Sequence, residues 1–197
     1  MRIRTATLAT AVACSLLLSS GLMAQTTGTA PKSTGGSNMP ANGAKDTSQL
    51  NRTDRSFLEN AAQGGLAEVE ASKLAEQKAS SADVKSFAAQ MIKDHTKVND
   101  ELKQLASTKG YTPPTEPSVM QRTEMKALSV LDGEKFDKMY SSRIGVAAHE
   151  ATLKQFREAA QRAQDPDVKA FAAKHVPDLE HHLQMARDLN KKVGNDK

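Results

Sequence analysis

The chain has 197 residues, with 27 Lys or Arg against 23 Asp or Glu, so its formal charge is only +4. It has no Trp and two Tyr, and no basic stripe interleaved with aromatics, which excludes nucleic acid as a partner on electrostatic and stacking grounds. A single cysteine, Cys14, excludes a disulfide framework and any paired-thiolate metal site.

Residues 1–24 place Arg2 and Arg4 ahead of an apolar run from Ala6 to Leu18 and end in small residues before Gln25. This is the anatomy of a secretory signal peptide, with cleavage expected after Ala24. The run is too short to span a bilayer, which takes roughly 20 apolar residues, and no later stretch approaches that length. The expectation is an exported protein, periplasmic or secreted, without a transmembrane segment once mature. A lipoprotein signal at Cys14 is the lesser alternative, because Ala11-Val12-Ala13-Cys14 lacks the usual Leu three residues earlier. Removing Arg2, Arg4 and Cys14 leaves a formal charge of +2 and no cysteine, so stability must come from packing.

Residues 25–53 are rich in Thr, Gly, Ser, Pro, Asn and Ala and read as a disordered polar linker, since they cannot bury enough apolar surface to offset ordering. Residues 54–193 form one domain of a size that suits a single core, and 194–197 are a tail. A first helix is expected over 54–79, with Leu58, Ala61, Gly65, Val69 and Ser72 on one face. A second is expected over 82–109, with Val84, Phe87, Ala88, Met91, His95, Val98, Leu102 and Leu105 inward and Gly110 as its stop. Pro113, Pro114 and Pro117 interrupt the next stretch, which carries a short helix over 118–131. A third long helix should cover 133–163 and a fourth 166–192. The apolar face of the third shifts near Gly145, from Phe136, Tyr140 and Ile144 to Leu153 and Phe156, a shift that helical periodicity does not explain.

Two segments 84 residues apart nearly coincide: Asp83-Val84-Lys85-Ser86-Phe87-Ala88-Ala89 and Asp167-Val168-Lys169-Ala170-Phe171-Ala172-Ala173. Each follows a capping signal, Ser80-Ser81 or Asp165-Pro166. A repeated helix start implies a repeated helical hairpin. Short links at 80–81 and 164–165 make antiparallel neighbours, and the long middle connection suits a crossover. The expected fold is all-α: a ferritin-like four-helix bundle of two duplicated hairpins with a long crossover carrying a short helix. An up-down-up-down bundle is the alternative.

Of five histidines, His95 lies on the inner stripe of the second helix, His149 on that of the third, and His175 and His182 on that of the fourth. Facing helices of bundles are where metal sites are built. His95, His149 and His182, assisted by Glu68, are the candidate metal ligands, with copper, zinc or iron as the ion. The competing reading makes each a neutral core or boundary imidazole hydrogen-bonded to a neighbouring carboxylate or hydroxyl. Met91 and Met185, at helical spacing from His95 and His182, would suit copper but equally fill a core. The acids Glu68 and Glu76 read more naturally as a solvated rim. Pro177 removes a backbone N–H from the fourth helix and predicts a kink. A di-iron centre needs Glu-x-x-His pairs, but Ile92 precedes His95 and Leu179 precedes His182 at that spacing, so a di-metal oxidoreductase is disfavoured. No nucleophile elbow or phosphate loop occurs, which points to a non-enzymatic binding bundle or to a structural, stress-protective one. Protein partners and oligomeric state are not legible.

Phe57-Leu58-x-x-Ala61-Ala62-Gln63-Gly64-Gly65-Leu66-Ala67-Glu68-Val69-Glu70, then Asp94-His95-Thr96-Lys97, Phe136-Asp137, His149-Glu150 and Leu179-Glu180-His181-His182-Leu183 resemble the bacterial family called domain of unknown function 4142. The resemblance spans about 54–190 and implies an exported, ferritin-like protein without an established activity. It marks Glu68, Glu70, His95, His149 and His182 as the matching polar positions. The run from His181 to Met185 is similar to a second exported helical family, domain of unknown function 305, which implies metal or copper association.

Overall fold

The first helix is started by Asn51, whose side-chain oxygen accepts the backbone N–H groups of Thr53 and Asp54 at 2.8 and 3.0 Å, two donors that a helix start otherwise leaves unpaired. The computed structural model describes residues 49–194; the signal peptide expected at 1–24, residues 25–48 of the linker and residues 195–197 of the tail lie outside them. Helix α1 covers Arg52–Lys78, α2 Ala82–Thr108, α3 Val119–Ser129, α4 Gly133–Met139, a π-helical segment Tyr140–Ala148, α5 His149–Arg162 and α6 Pro166–Lys192. No strand occurs among the described residues, so the all-α class is as expected. Leu50 is buried and Gln49 N–H donates to the Lys109 carbonyl at 3.1 Å. Residues 49–53 therefore belong to the folded body rather than to the linker.

Contacts set the helix directions. The backbone of Gly65 lies against the Asn99 side chain and Glu68 meets His95 three residues further along α1, pairing α1 with α2 in antiparallel fashion. Arg157–Glu180 at 2.7 Å and Arg187–Glu150 at 2.8 Å do the same for α5 and α6. Phe57 meets Phe156 at one end of α1, while Ser72 Oγ and Tyr140 Oη lie 2.8 Å apart further along, so α1 opposes the α4–α5 rod. It follows that α2 runs parallel to that rod. Residues 109–132 must then return along the bundle, and α3 lies within this connection, with Met125 and Leu128 joining the core beside Ala71 and Ala75.

The repeat has a structural counterpart that sequence reading missed. Asp54, at the start of the first hairpin, is 1% exposed and its carboxylate accepts the N–H groups of Gln164 (3.1 Å) and Asp165 (2.8 Å) in the turn of the second hairpin. Asp137, near the start of the second hairpin, accepts those of Ser80 (3.2 Å) and Ser81 (2.9 Å) in the turn of the first. Each hairpin thus caps the other's turn. Ser81 and Asp165 cap α2 and α6 locally, and Val84, Ala88, Val168 and Ala172 are fully buried.

The shift of the apolar face near Gly145 is explained by the π-helical segment. Each i to i+5 turn holds about one residue more than an α turn, so the inward face is carried round between Ile144 and Leu153. Phe136, Tyr140 and Ile144 accordingly join one core cluster, Leu153 and Phe156 the other. Gly145 allows the approach of α6, since a Cβ there would lie 3.3 Å from that of Ala186. Helix α6 continues through Pro177 to Lys192.

Candidate metal centre

One histidine from each of three elements reaches the interior at the same depth. His95 comes from the α2 stripe, His149 from the first turn of α5 where the π-helical segment ends, and His182 from α6; they are 4%, 0% and 4% exposed. One nitrogen from each ring lies within 4.8 Å of the other two. Glu68 of α1 closes the group, its Oε2 2.8 Å from His95 Nε2, with the carboxylate only 3% exposed. The solvated-rim reading of Glu68 is therefore overturned, because the face of α1 it occupies packs inward against α2 and α5.

Hydrogen bonding fixes how the rings present themselves. His149 Nδ1 lies 3.1 Å from the Ile144 carbonyl oxygen, which can only accept, so Nδ1 carries a proton and Nε2 is the nitrogen turned toward the other rings. That nitrogen faces His95 Nε2 at 3.4 Å, while His95 Nε2–H donates to the nearer Glu68 Oε2 at 2.8 Å. His182 Nε2 lies 2.9 Å from Asp94 Oδ2, which also accepts from Gln90 Nε2 at 2.6 Å. His182 Nδ1 in this group and His175 Nδ1 outside it remain buried without a hydrogen bond. Buried polar atoms are nearly always paired, so such orphans call for a ligand or a cost.

Electrostatics agree with this geometry. Burial opposes the charge on Glu68, but the nearby His95, His149 and His182 outweigh it and lower its pKa to about 2. Burial likewise opposes charge on His95, yet Glu68 raises its pKa. At His182 burial and the neighbouring His95 act together to lower it. The site is thus a buried carboxylate facing three imidazoles.

The other sequence candidates lie elsewhere. His175 is buried but pairs with Glu101 at 3.0 Å and packs edge-on to Phe171 and Phe156, two helical turns from His182 on the same α6 face. Glu70 and His181 are exposed. Met91 is a core residue and Met185 lines a surface groove. Asp94, Asp54 and the Ile144 carbonyl were not singled out from sequence. Only the adjacency of Asp94 to His95 gave a signal.

Among solved structures, the chain is similar to a DUF305 protein from Streptomyces coelicolor assigned as secreted, at 17% identity and a TM-score of 0.62, covering 72% of this chain and 92% of that one. It is also similar to a conserved hypothetical protein from Mycobacterium tuberculosis, at 16% identity and a TM-score of 0.55, covering 71% and 91%. At such identities these likenesses concern the fold alone. No curated protein sequence matches the chain. The model of the family described as domain of unknown function DUF4142 matches residues 39–189, and the chain belongs to that family.

Proposed function

We propose that this protein is an exported, non-enzymatic bundle that binds one divalent transition-metal ion through His95, His149 and His182, with Glu68 as fourth donor. The observation that carries the reading is the convergence of three buried imidazoles, from three elements, to within 4.8 Å. Tetrahedral zinc with Zn–N bonds of about 2.0–2.1 Å holds its donors roughly 3.4 Å apart, which is the spacing of His95 and His149 Nε2. Support behind the ligands follows the same chemistry: ring N–H groups of metal-bound histidines are held by carbonyls or carboxylates, the positions that Ile144 and Asp94 occupy. Glu68 and Asp94 together neutralise a divalent ion, which removes the penalty of burying net charge.

Three nitrogens and one oxygen without thiolate suit borderline ions, zinc first, with Cu(II) and Fe(II) as competitors. Export is supported by the Arg2, Arg4 and Ala6–Leu18 leader pattern and by the secreted assignment of the Streptomyces protein. A second reading, a structural or stress-protective bundle, draws on the His95–Glu68 and His182–Asp94 pairs, which give these side chains partners with no ion.

Elemental analysis of untagged protein purified from the periplasm without chelator separates the two. The expected result is one equivalent of metal per chain, absent from a His95→Ala/His182→Ala variant of unchanged helix content. No metal in the wild type after zinc, copper and iron are offered would leave the structural reading.

A further inference from the structure

Two openings flank the three histidines. A groove of about 570 Å³ between α2 and α6 reaches Asp94, whose carboxylate is already engaged by Gln90 and His182. A smaller cavity of about 310 Å³, bounded by α1, α3, the π-helical segment and α5, has Glu68 itself in its wall. The first opening stops at a residue that supports a ligand; the second touches a donor of the proposed site. Glu68 is 3% exposed, with one carboxylate oxygen 2.8 Å from His95 Nε2. A buried carboxylate therefore stands between the cavity and the imidazoles.

The volume of this cavity is not a by-product of close packing. At Gly65 a Cβ would lie 2.1 Å from Asn99 Oδ1, so any larger residue there would displace the Asn99 side chain. At Gly64, which lines the cavity, the nearest atom to a Cβ would be Thr152 Oγ1 at 4.0 Å, an ordinary contact. A glycine inside a helix is less favourable than alanine, and no close approach at Gly64 offsets that. Its effect is to keep space open beside Glu68. Thr152 Oγ1 is also 3.5 Å from Glu68 Oε1, giving the cavity a hydrogen-bonding wall at its inner end. At its outer part Arg143 and Glu124 lie 3.8 Å apart and offset one another's charge, so Glu68 is the remaining charged side chain of the lining.

We infer that the cavity beneath α3 is the path by which a hydrated divalent cation reaches and leaves the three histidines, with Glu68 as the first protein ligand it meets. The inference rests on reading those histidines as metal ligands. The cation exchanges water for the Glu68 carboxylate at the inner end of the cavity, and the same carboxylate, 2.8 Å from His95 Nε2, hands it to the imidazoles. His95 Nε2 gives up its proton to solvent as the metal–nitrogen bond forms, and apart from the metal–ligand bonds no other bond changes.

The test is stopped-flow uptake and chelator-driven release of zinc and Co(II) by the mature chain. Gly64→Leu and Ala151→Leu, the latter at an exposed α5 position on the cavity wall, fill the path. Asp188→Asn and Met185→Leu alter the α2–α6 groove. Blocking a path changes the barrier and not the end state, so in the filled variants both rates should fall at least about tenfold while Kd moves less than about threefold. The groove variants should keep wild-type rates. If Gly64→Leu does not fold, Ala151→Leu decides. Stoichiometric binding with unchanged rates in the filled variants, or slowing by the groove variants alone, overturns the path and leaves the metal site standing. A wild-type protein that binds neither ion overturns the metal reading, and the path with it.

Discussion

Glu68 shows how one buried side chain couples the fold to pH. Its pKa is lowered from 4.5 to about 2, because His95, His149 and His182 outweigh a burial penalty that acts in the opposite direction. A carboxylate whose folded pKa is depressed contributes stability that is present above the unfolded value and lost as pH falls through the folded one. The window is therefore between 4.5 and about 2. The same pairing raises the pKa of His95, so its share is full below the unfolded value of 6.5 and fades as pH rises through the higher folded value. These are two views of one interaction and are not added. In metal-free protein, Glu68→Gln should lower stability at pH 5–6 by about 3 kcal/mol and flatten the acid limb, measured by urea unfolding across pH. An unchanged acid limb would show that Glu68 is not ionised in the folded protein. Position 68 was legible as near the inner face, but its burial was not, because periodicity cannot distinguish a rim from a helix face covered on both sides.

At the scale of elements, the reciprocal caps hold the two hairpins in register. Asp54→Ala would leave the Gln164 and Asp165 N–H groups without their acceptor, each lost partner costing about 1–3 kcal/mol. The expected loss is roughly 2–4 kcal/mol, read by chemical denaturation, with faster amide exchange in the α5–α6 turn. Loss below about 0.5 kcal/mol would mean that water replaces the carboxylate. Helix starts at Ala82 and Pro166 were legible to the residue, since Ser81 and Asp165 are local signals acting within one turn. The π-helical segment was visible only as an unexplained shift of pattern, because its wide turns are stabilised by contacts with α1, α2 and α6, such as Tyr140 with Ser72 and Phe87, that lie far off in sequence.

For the whole molecule, the donors come from both hairpins: Glu68 and His95 from the first, His149 and His182 from the second. An ion held by all four would tie the hairpins together, so binding and folding are linked. At a free zinc concentration about 100 times Kd, the folded state should gain roughly 2.7 kcal/mol, seen as an increased unfolding free energy that is absent from His95→Ala. Stoichiometric binding without this gain would mean that unfolded chain holds zinc as well as the bundle does.

The sequence by itself determined the helical class, the helix starts, the inner stripes and the duplication. All of these depend on residues within a turn or two of each other, where periodicity and capping act. It also brought His95, His149, His182 and Glu68 into consideration, since each lies on or beside an apolar face. Tertiary structure decided which of the inward histidines meet. His175 and His182 share one face of α6 but lie seven residues apart, about 10 Å along the axis, so helix register against α2 and α5 sends one to Glu101 and the other to His95 and His149. Depth along a bundle is set by packing between segments distant in sequence, and no local signal carries it.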